Sequence, residues 1–204
     1  WLCGGVGVNY HLLSDFRTAH GAVLEQLLTD TVATLLYQGL VTLNTVAQDG
    51  MRVRASAGKG SFRREKTLQE CQAAAREHVR QLRAENEREA SGDTSRTRRE
   101  ASQARAAQER EERVTQALQE LAELQQQKEQ RKPGTGGDAR ASTTDPEARV
   151  MKMGDGGFRP AYNVQFATDG DARIIVAVDV TNSGSDRGQM APLHEEVCTH
   201  YGKT

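Results

Sequence analysis

PAYNVQFATDGDARIIVAVDVTN, residues 160–182, is the stretch that decides the fold class. Two strand-like runs flank the dipeptide Asp169-Gly170, which is a strong short-range signal for a β-hairpin. In the second run, the residues from 174 to 180 are apolar except for Asp179. Because both faces of that run are largely apolar, we expect it to be a central strand.

The chain on either side of the hairpin predicts an α/β order. SDRGQMAPLHEEVCTHYG (185–202) is typical of a helix, with Pro192 in its first turns, where a missing N–H is tolerated. Upstream, VAQDGMRVRASAG (46–58) is a third strand pattern. If the long charged segment between them is an insertion, the order is strand, strand, strand, helix, with an antiparallel start.

The upstream strand contains one carboxylate, Asp49, on an otherwise mostly apolar face. Alternate positions share a face of a strand, so Asp49 is grouped with Val41, Leu43, Thr45, Ala47, Met51 and Val53. An ionised carboxylate on a buried face needs a cation, a metal or strong hydrogen bonds. The alternative is that Asp49 only caps a turn with Gly50.

Basic residues follow Asp49 closely: Arg52, Arg54, Lys59, Arg63, Arg64 and Lys66, with only Glu65 opposing them. Metal-dependent phosphate chemistry uses this arrangement: a carboxylate binds a divalent metal, and neighbouring cations bind a polyanionic backbone. From Arg63 onward, the alternative is that these cations begin the solvated face of a helical hairpin.

Composition divides the chain into a modest globular part and an extended charged part, since 36% of the residues are hydrophobic and 27% are charged. We expect helices over 1–40, the first core strand over 41–61, a charged helical hairpin over 62–132 with a break at SGDTS (91–95), a flexible linker over 133–149, and further core elements over 150–204.

Charge and cysteine content limit the function classes. The net charge is −1, so any nucleic-acid surface must be local. The three cysteines are far apart and odd in number, which favours a reducing, cytoplasmic location over a disulfide framework. No apolar run reaches the roughly 20 residues that a membrane span needs, so we expect no membrane partner. The first residue is Trp1, and we expect the sequence to be a piece of a longer protein.

Other candidate residues are weaker. Asp179 would lie beside Asp49 if their strands paired, but it is interpreted as a structural residue at a strand end. Asp186 is interpreted as a residue near a helix N-terminus, and Glu195 and Glu196 as solvated. HEEVCTH (194–200) lacks the spacing of a zinc-protease helix and a completing ligand cluster.

Four stretches occur in a specific order: CGGVGVNYHLLSDFR, VAQDGMRVRASAGKGSFRR, DPEARVMKMGDGGFRPAYNVQFATD and IIVAVDVTNSGSDRGQMAPL. Together they resemble the bacterial insertion-sequence transposases of the DDE type, in the branch with a long helical insertion after the first catalytic Asp. The resemblance covers nearly the whole chain and is weakest in the charged hairpin.

The resemblance implies a partial RNase H-like core of three strands and a helix, interrupted by the charged hairpin and preceded by an N-terminal helical remnant. It implies that Asp49 is the first of three acids that hold Mg²⁺ or Mn²⁺ at a phosphodiester, and that Arg52, Arg54, Lys59, Arg63 and Arg64 lie near DNA. The partners would be mobile-element ends and target DNA, in a nucleoid-associated homo-oligomer. The second Asp and the Glu of the family have no counterpart here, so we expect no activity from this chain alone.

A second class stays open, in which the protein is a non-enzymatic DNA-binding or adaptor protein that works through the charged hairpin. A nuclease of the same fold is a third possibility that a single acid does not separate from a transposase.

Overall fold

A computed structural model describes residues 9–88 and 94–202, together with residue 7. These residues form a mixed α/β structure with antiparallel strands. The helices are α1 (Tyr10–Ala19), α2 (Gly21–Tyr37), α3 (Glu65–Arg88), α4 (Thr94–Arg131) and α5 (Met190–Tyr201), and the strands are β1 (Val46–Arg54), β2 (Phe62–Arg63), β3 (Ala141–Ser142), β4 (Arg149–Lys152), β5 (Phe158–Asp169) and β6 (Ile175–Thr181). Residues 1–6 and 8, and the first three residues of the predicted break at 91–95, lie outside the described residues, whereas the last two residues of that break begin α4.

The chain forms two compact units. The first, which we call the strand unit, contains the described residues up to Met51, Val164–Thr181 and the described residues from Ser185 onward. The second, the hairpin unit, contains Arg52–Asn163 and Asn182–Gly184. The long strands β1 and β5 each have one part in either unit.

The larger sheet has the strand order β1-β5-β4, and β6 also pairs with β5. β1 and β5 are antiparallel, because Gly170 N donates to Thr45 O (2.8 Å) near one end and Ala55 N donates to Pro160 O (3.0 Å) near the other. β4 is antiparallel to the start of β5, with Arg149 opposite Ala161 and Lys152 opposite Phe158. Because β6 pairs with β5, the strand that precedes it in the chain, the predicted β5–β6 hairpin is confirmed.

The predicted central position of β6 is wrong. Among the described strands β6 pairs only with β5, and β5 is the strand with several partners. Ile175 and Val180 of β6 remain 42% and 57% exposed. An apolar alternation indicates that both faces of a strand tolerate apolar residues, but it does not say how many neighbours the strand has.

The core of the strand unit lies between helices and sheet. Its fully buried members are Val32 of α2, Val41, Ala167 of β5, Val176 and Ala177 of β6, and Leu193 and Val197 of α5. The two α5 residues are four positions apart and so share one helix face. Pro192 is the third residue of α5, within the turn whose N–H groups have no intrahelical partner, as the sequence predicted. Gly202 closes the helix in the left-handed conformation at φ 63°.

The hairpin unit is built on α3 and α4, which run antiparallel as predicted. Gln72 Nε2 donates to Thr115 Oγ1 (3.0 Å) and Gln125 Nε2 donates to Glu65 Oε2 (2.9 Å), so the start of α3 lies beside the end of α4. A thin apolar seam holds the pair together, and its buried members are Leu68, Val114, Ala117 and Leu121.

Residues 133–149 are not the bare linker that their composition predicted. Ala139 and Ala141 are buried in the core of the hairpin unit, and strand β3 pairs with β2. Ser142 is also buried, and its Oγ accepts hydrogen bonds from the backbone N–H groups of Thr144 and Asp145 (both 3.1 Å). The small side chains of this segment allow it to pack closely against the helices. Its Gly and Ser content alone predicted a flexible linker and gave no indication of this packing.

The predicted burial of the Asp49 face is also wrong. The period of two is correct, but Ala47, Asp49, Met51 and Val53 are exposed, and the half-buried residues of β1 are Val46, Gln48, Gly50 and Arg52. Met51 is 53% exposed. The carboxylate of Asp49 therefore carries no large desolvation penalty, and its position does not by itself require a partner.

The turn between β4 and β5 is fixed by Asp155. Its carboxylate accepts hydrogen bonds from Arg159 Nη1 (2.7 Å) and Gly157 N (3.0 Å). The hydrogen bond from Arg159 and then that from Gly157 lower the pKa of Asp155 to about 2. Gly156 has φ 81°, a conformation that favours glycine, so the sequence GDGG specifies this turn.

Asp169 joins three segments of the strand unit. Its buried carboxylate accepts hydrogen bonds from Ala172 N (2.7 Å) and from Leu43 N (2.9 Å). These bonds, that from Ala172 foremost, lower the pKa of Asp169 below its ordinary value of 3.8. Asp169 thus fixes the β5–β6 turn and the approach to β1 at once.

Replacing Asp169 with Ala leaves two backbone N–H groups without their acceptor. We expect a loss of about 2–3 kcal/mol in the free energy of unfolding, measured by urea denaturation. The exposed Asp171, whose carboxylate accepts from the Thr42 hydroxyl (3.1 Å), supplies the matched control, and Asp171→Ala should cost well under half as much.

The same residue predicts a pH dependence. The folded-state pKa of Asp169 lies below its ordinary value of 3.8. The carboxylate therefore makes its full contribution to the free energy of unfolding above pH 3.8, and this contribution is lost as the pH falls through the folded-state pKa. Asp169→Asn should therefore show a flatter loss of stability on acidification than the wild type. Parallel acid-unfolding curves for the two proteins would contradict this assignment.

Candidate functional site

Asp49 lies near the middle of β1 with its side chain exposed. Among the described residues, the Asp49 carboxylate accepts one hydrogen bond, and the donor is the neighbouring Gly50 N (2.8 Å to Oδ1). The second carboxylate oxygen is open to the surroundings. An accessible carboxylate on a rigid strand is an oxygen ligand of the type that Mg²⁺ and Mn²⁺ prefer.

A chain of polar side chains covers the opposite face of β1 next to Asp49. Gln48 Nε2 donates to Gln165 Oε1 (2.5 Å), and Gln165 Nε2 donates to Asp186 Oδ1 (2.9 Å). Gln165 is fully buried, so its amide is satisfied on both sides by these partners. We call Gln48, Gln165 and Asp186 the glutamine–aspartate chain.

Gly50 makes room for this chain. A Cβ atom at Gly50 would lie well inside van der Waals contact with Asp186 Oδ1 and with Gln165 Nε2. A side chain at this position would require the ends of the Asp186 and Gln165 side chains to move. The sequence contained a signal for this, since a glycine inside a strand often marks the close approach of another group.

The other acids are not gathered around Asp49. Asp186 lies on the Gly50 face of β1, whereas the Asp49 side chain points to the opposite face because successive strand residues alternate. Asp179 is on β6, and β5 separates β6 from β1. No group of three or more His, Cys, Asp or Glu residues that could hold a metal occurs in the described parts of the chain. Among the described residues, Asp49 therefore belongs to no cluster of three or more such ligands.

Two further acids have local roles. The Asp179 carboxylate accepts from its neighbour Val180 N (2.7 Å). Glu196 is half-buried on α5, and burial, together with the nearby Asp179, raises its pKa despite the opposing charge of His200. Glu195 is exposed, as the sequence predicted.

The helix residues His194 and Cys198 do approach each other. Cys198 Sγ lies 3.6 Å from the ring nitrogens of His194, one turn away on α5. His200 lies on the same helix but adds no third ligand to a cluster within the described residues. Cys71 and Cys198 are both free thiols.

The predicted DNA-binding cations all lie in the hairpin unit, in different surroundings. Arg52 Nη2 donates to Gly184 O (3.0 Å), and Arg54 is close enough to Asp155 to influence its carboxyl group. Arg64 is paired with Asp138 (2.9 Å). Lys59 and Arg63 are exposed. Because some of the five cations have partners in the protein, the five do not form one uniform surface.

Comparisons with known proteins add no constraint: no family model, curated protein or solved structure matches the chain. None of the described helices is long and apolar enough to cross a membrane.

Gly50→Ala tests the geometry beneath Asp49. The added methyl group must displace Gln165 or Asp186 from the glutamine–aspartate chain, so we expect a loss of about 2–3 kcal/mol in stability by denaturant unfolding. Gly58→Ala is the matched control, because a Cβ there meets nothing within 4 Å. An equal effect of the two substitutions would show that the crowding at Gly50 does not exist in solution.

Proposed function

We propose that this chain forms part of the catalytic core of a DDE-type DNA transposase, which cuts and joins DNA at the ends of a mobile element. In this proposal Asp49 is the first of the acids that bind Mg²⁺ or Mn²⁺, and the fold is RNase H-like. The observation that carries the proposal is the exposed carboxylate of Asp49 at mid-strand in the antiparallel sheet.

The order of elements supports this proposal. The Asp49 strand β1 pairs with β5, β5 pairs with β6, and α5 follows in the chain. The helical hairpin of α3 and α4 lies between β1 and β5 in sequence. This is the order that the resemblance to the transposases implies, with the insertion after the first acid.

The donor set fits a divalent metal only in part. Mg²⁺ keeps several of its waters and is commonly held by one or two carboxylates plus substrate phosphates, so one accessible carboxylate can serve as one ligand. When bound, such a metal polarises a phosphodiester and activates the attacking oxygen. Asp49 would hold the metal, and the rigid β1–β5 pairing would fix the carboxylate in place. The remaining acids of the family have no counterpart among the described residues near Asp49.

Arg52 and Arg54 would bind the DNA backbone. Both lie in the second half of β1, two and four residues after Gly50, and Arg54 is exposed. Their charge attracts phosphates, and the hydrogen bond from Arg52 to Gly184 O holds one guanidinium in a defined position. We further propose assembly into a homo-oligomer on element ends and target DNA, in the nucleoid of the cytoplasm.

The second candidate is a non-enzymatic DNA-binding or adaptor protein that works through the charged hairpin. One observation favours it. α4 extends over 38 residues, and much of its surface is exposed and charged rather than packed in a core. Such a surface suits a partner of complementary charge and requires no contribution from Asp49.

Metal titration separates these two candidates. We expect calorimetry to show weak binding of Mn²⁺ to the purified chain. The Asp49→Asn substitution should weaken this binding about tenfold, which corresponds to about 1.4 kcal/mol of binding free energy. The loss follows from removing the one charged ligand. Asp15→Asn, at an exposed position of α1, is the matched control and should bind like the wild type.

A nicking assay with supercoiled DNA in the same tubes completes the test. We expect no nicking, because a single acid does not build a two-metal site. Metal binding that is identical in wild type and Asp49→Asn would exclude Asp49 as the ligand and favour the non-enzymatic candidate. Robust nicking would mean that acids such as Asp179, Asp186 or Glu195 contribute, against their placement here.

A further inference from the structure

The hairpin unit contains a wide groove whose lining does not include Asp49. It has a volume of about 910 Å³ and is bordered by the C-terminal end of α4, by β4, by Phe62 and Phe158, and by residues 182–184. Sites that enclose small ligands measure about 300–1,000 Å³, so the groove has room for nucleotides rather than for one small ion. We call it the basic groove.

Its lining is strongly cationic in a chain whose net charge is −1. Five basic side chains line it, namely Lys59, Lys128, Arg131, Arg140 and Arg149, against one acid, Asp138. The Asp138 carboxylate is already paired with Arg64 (2.9 Å), which is not part of the lining. The groove therefore has a local excess of positive charge.

Two of these cations are satisfied within the protein. Arg149 is mostly buried, is paired with Glu120 and also donates to the backbone oxygen of Pro146 (3.0 Å). Lys128 Nζ donates to Asp138 O (3.1 Å). Lys59, Arg131 and Arg140 are exposed, and within the described residues none of them forms an ion pair with a carboxylate.

The helix dipole explains only part of this charge. Lys128 and Arg131 lie in the last turn of α4, where cations are favourable for the helix itself. Lys59 comes from a short 3₁₀ helix, and Arg140 from the segment just before β3. Three separate segments therefore bring cations to one groove, which a preference at a single helix end does not account for.

The groove also exposes apolar surface. Phe158, at the start of β5, is 56% exposed, and Val150 of β4 is 48% exposed. Phe62 lies half-buried in the same lining. Cations beside an exposed aromatic ring are the combination that binds single-stranded nucleic acid, since phosphates contact the cations and bases stack on the ring.

We propose that the basic groove binds single-stranded DNA, with phosphates at Lys59, Arg131 and Arg140 and a base stacked on Phe158. An acidic peptide would match the charge, but it would leave the exposed ring without a stacking partner. The groove does not use Asp49, so this inference goes beyond the proposed metal site. Only the choice of DNA over RNA rests on the proposed function.

The test measures fluorescence anisotropy of a labelled oligothymidylate of about 15 nucleotides with the full chain. Arg131→Glu combined with Arg140→Glu should weaken binding by about tenfold or more and should lower the magnitude of the salt slope by about 1.4, at about 0.7 per phosphate contact. Arg83→Glu combined with Arg105→Glu makes the same charge change at exposed hairpin positions outside the groove and should have a much smaller effect.

Phe158→Ala isolates the stacking contribution. It should weaken binding of the oligothymidylate by about tenfold while leaving the salt slope unchanged, because no charge is removed. Phe158→Leu, which keeps an apolar side chain without a π-face, should behave like the Ala variant in binding. Circular dichroism of each variant identifies those that keep the wild-type fold, and only these are compared.

Three results would overturn the inference: no binding at low salt, equal losses for the groove and control charge pairs, or displacement of the oligonucleotide by poly-glutamate at equal charge concentration. The proposed metal site fails separately. Asp49→Asn should retain full oligonucleotide binding, so groove binding without Asp49-dependent metal binding would support this inference and reject the proposed function.

Discussion

The register between β1 and β5 is the constraint on which the position of Asp49 depends. Two glycines mark it. A Cβ at Gly50 would collide with the side chains of Gln165 and Asp186, and a Cβ at Gly170 would collide with the hydroxyl of Thr45. Both glycines therefore allow the strands and their side chains to approach closely. A slip of one residue would turn the carboxylate of Asp49 to the covered face and would place a residue with a side chain, instead of Gly50, beside Gln165 and Asp186.

Periodicity and turn chemistry predicted most of the elements. The β5–β6 hairpin, the antiparallel α3–α4 hairpin and the early proline of α5 all follow from local sequence patterns. The period of two also grouped Asp49 correctly with its neighbours on β1. It could not show which face is covered, because that depends on Gln165 and Asp186, which are more than a hundred residues away in the chain.

The same limit explains the segment 133–149. Its Gly, Thr and Ser content is typical of linkers, and composition alone carries no information about the surface on which a segment packs. Ala139 and Ala141 fill space beside Leu68 and Leu121, which belong to helices distant in sequence. Local rules thus predicted the parts, whereas the contacts between remote side chains decided burial, and with it the surroundings of each candidate residue.

The exposure of Asp49 changes the chemistry that it can support. A buried carboxylate would need a partner for stability, whereas an exposed one keeps its oxygens for an external ligand at little cost to the fold. Line broadening by Mn²⁺ in the amide NMR spectrum of the full chain locates that ligand most directly. If Asp49 binds the metal, the amides of residues 48–51 and of 165–167 on β5 broaden first, and Asp49→Asn requires about ten times more Mn²⁺ for the same broadening. Broadening centred elsewhere, or unchanged by Asp49→Asn, would contradict a metal site at Asp49.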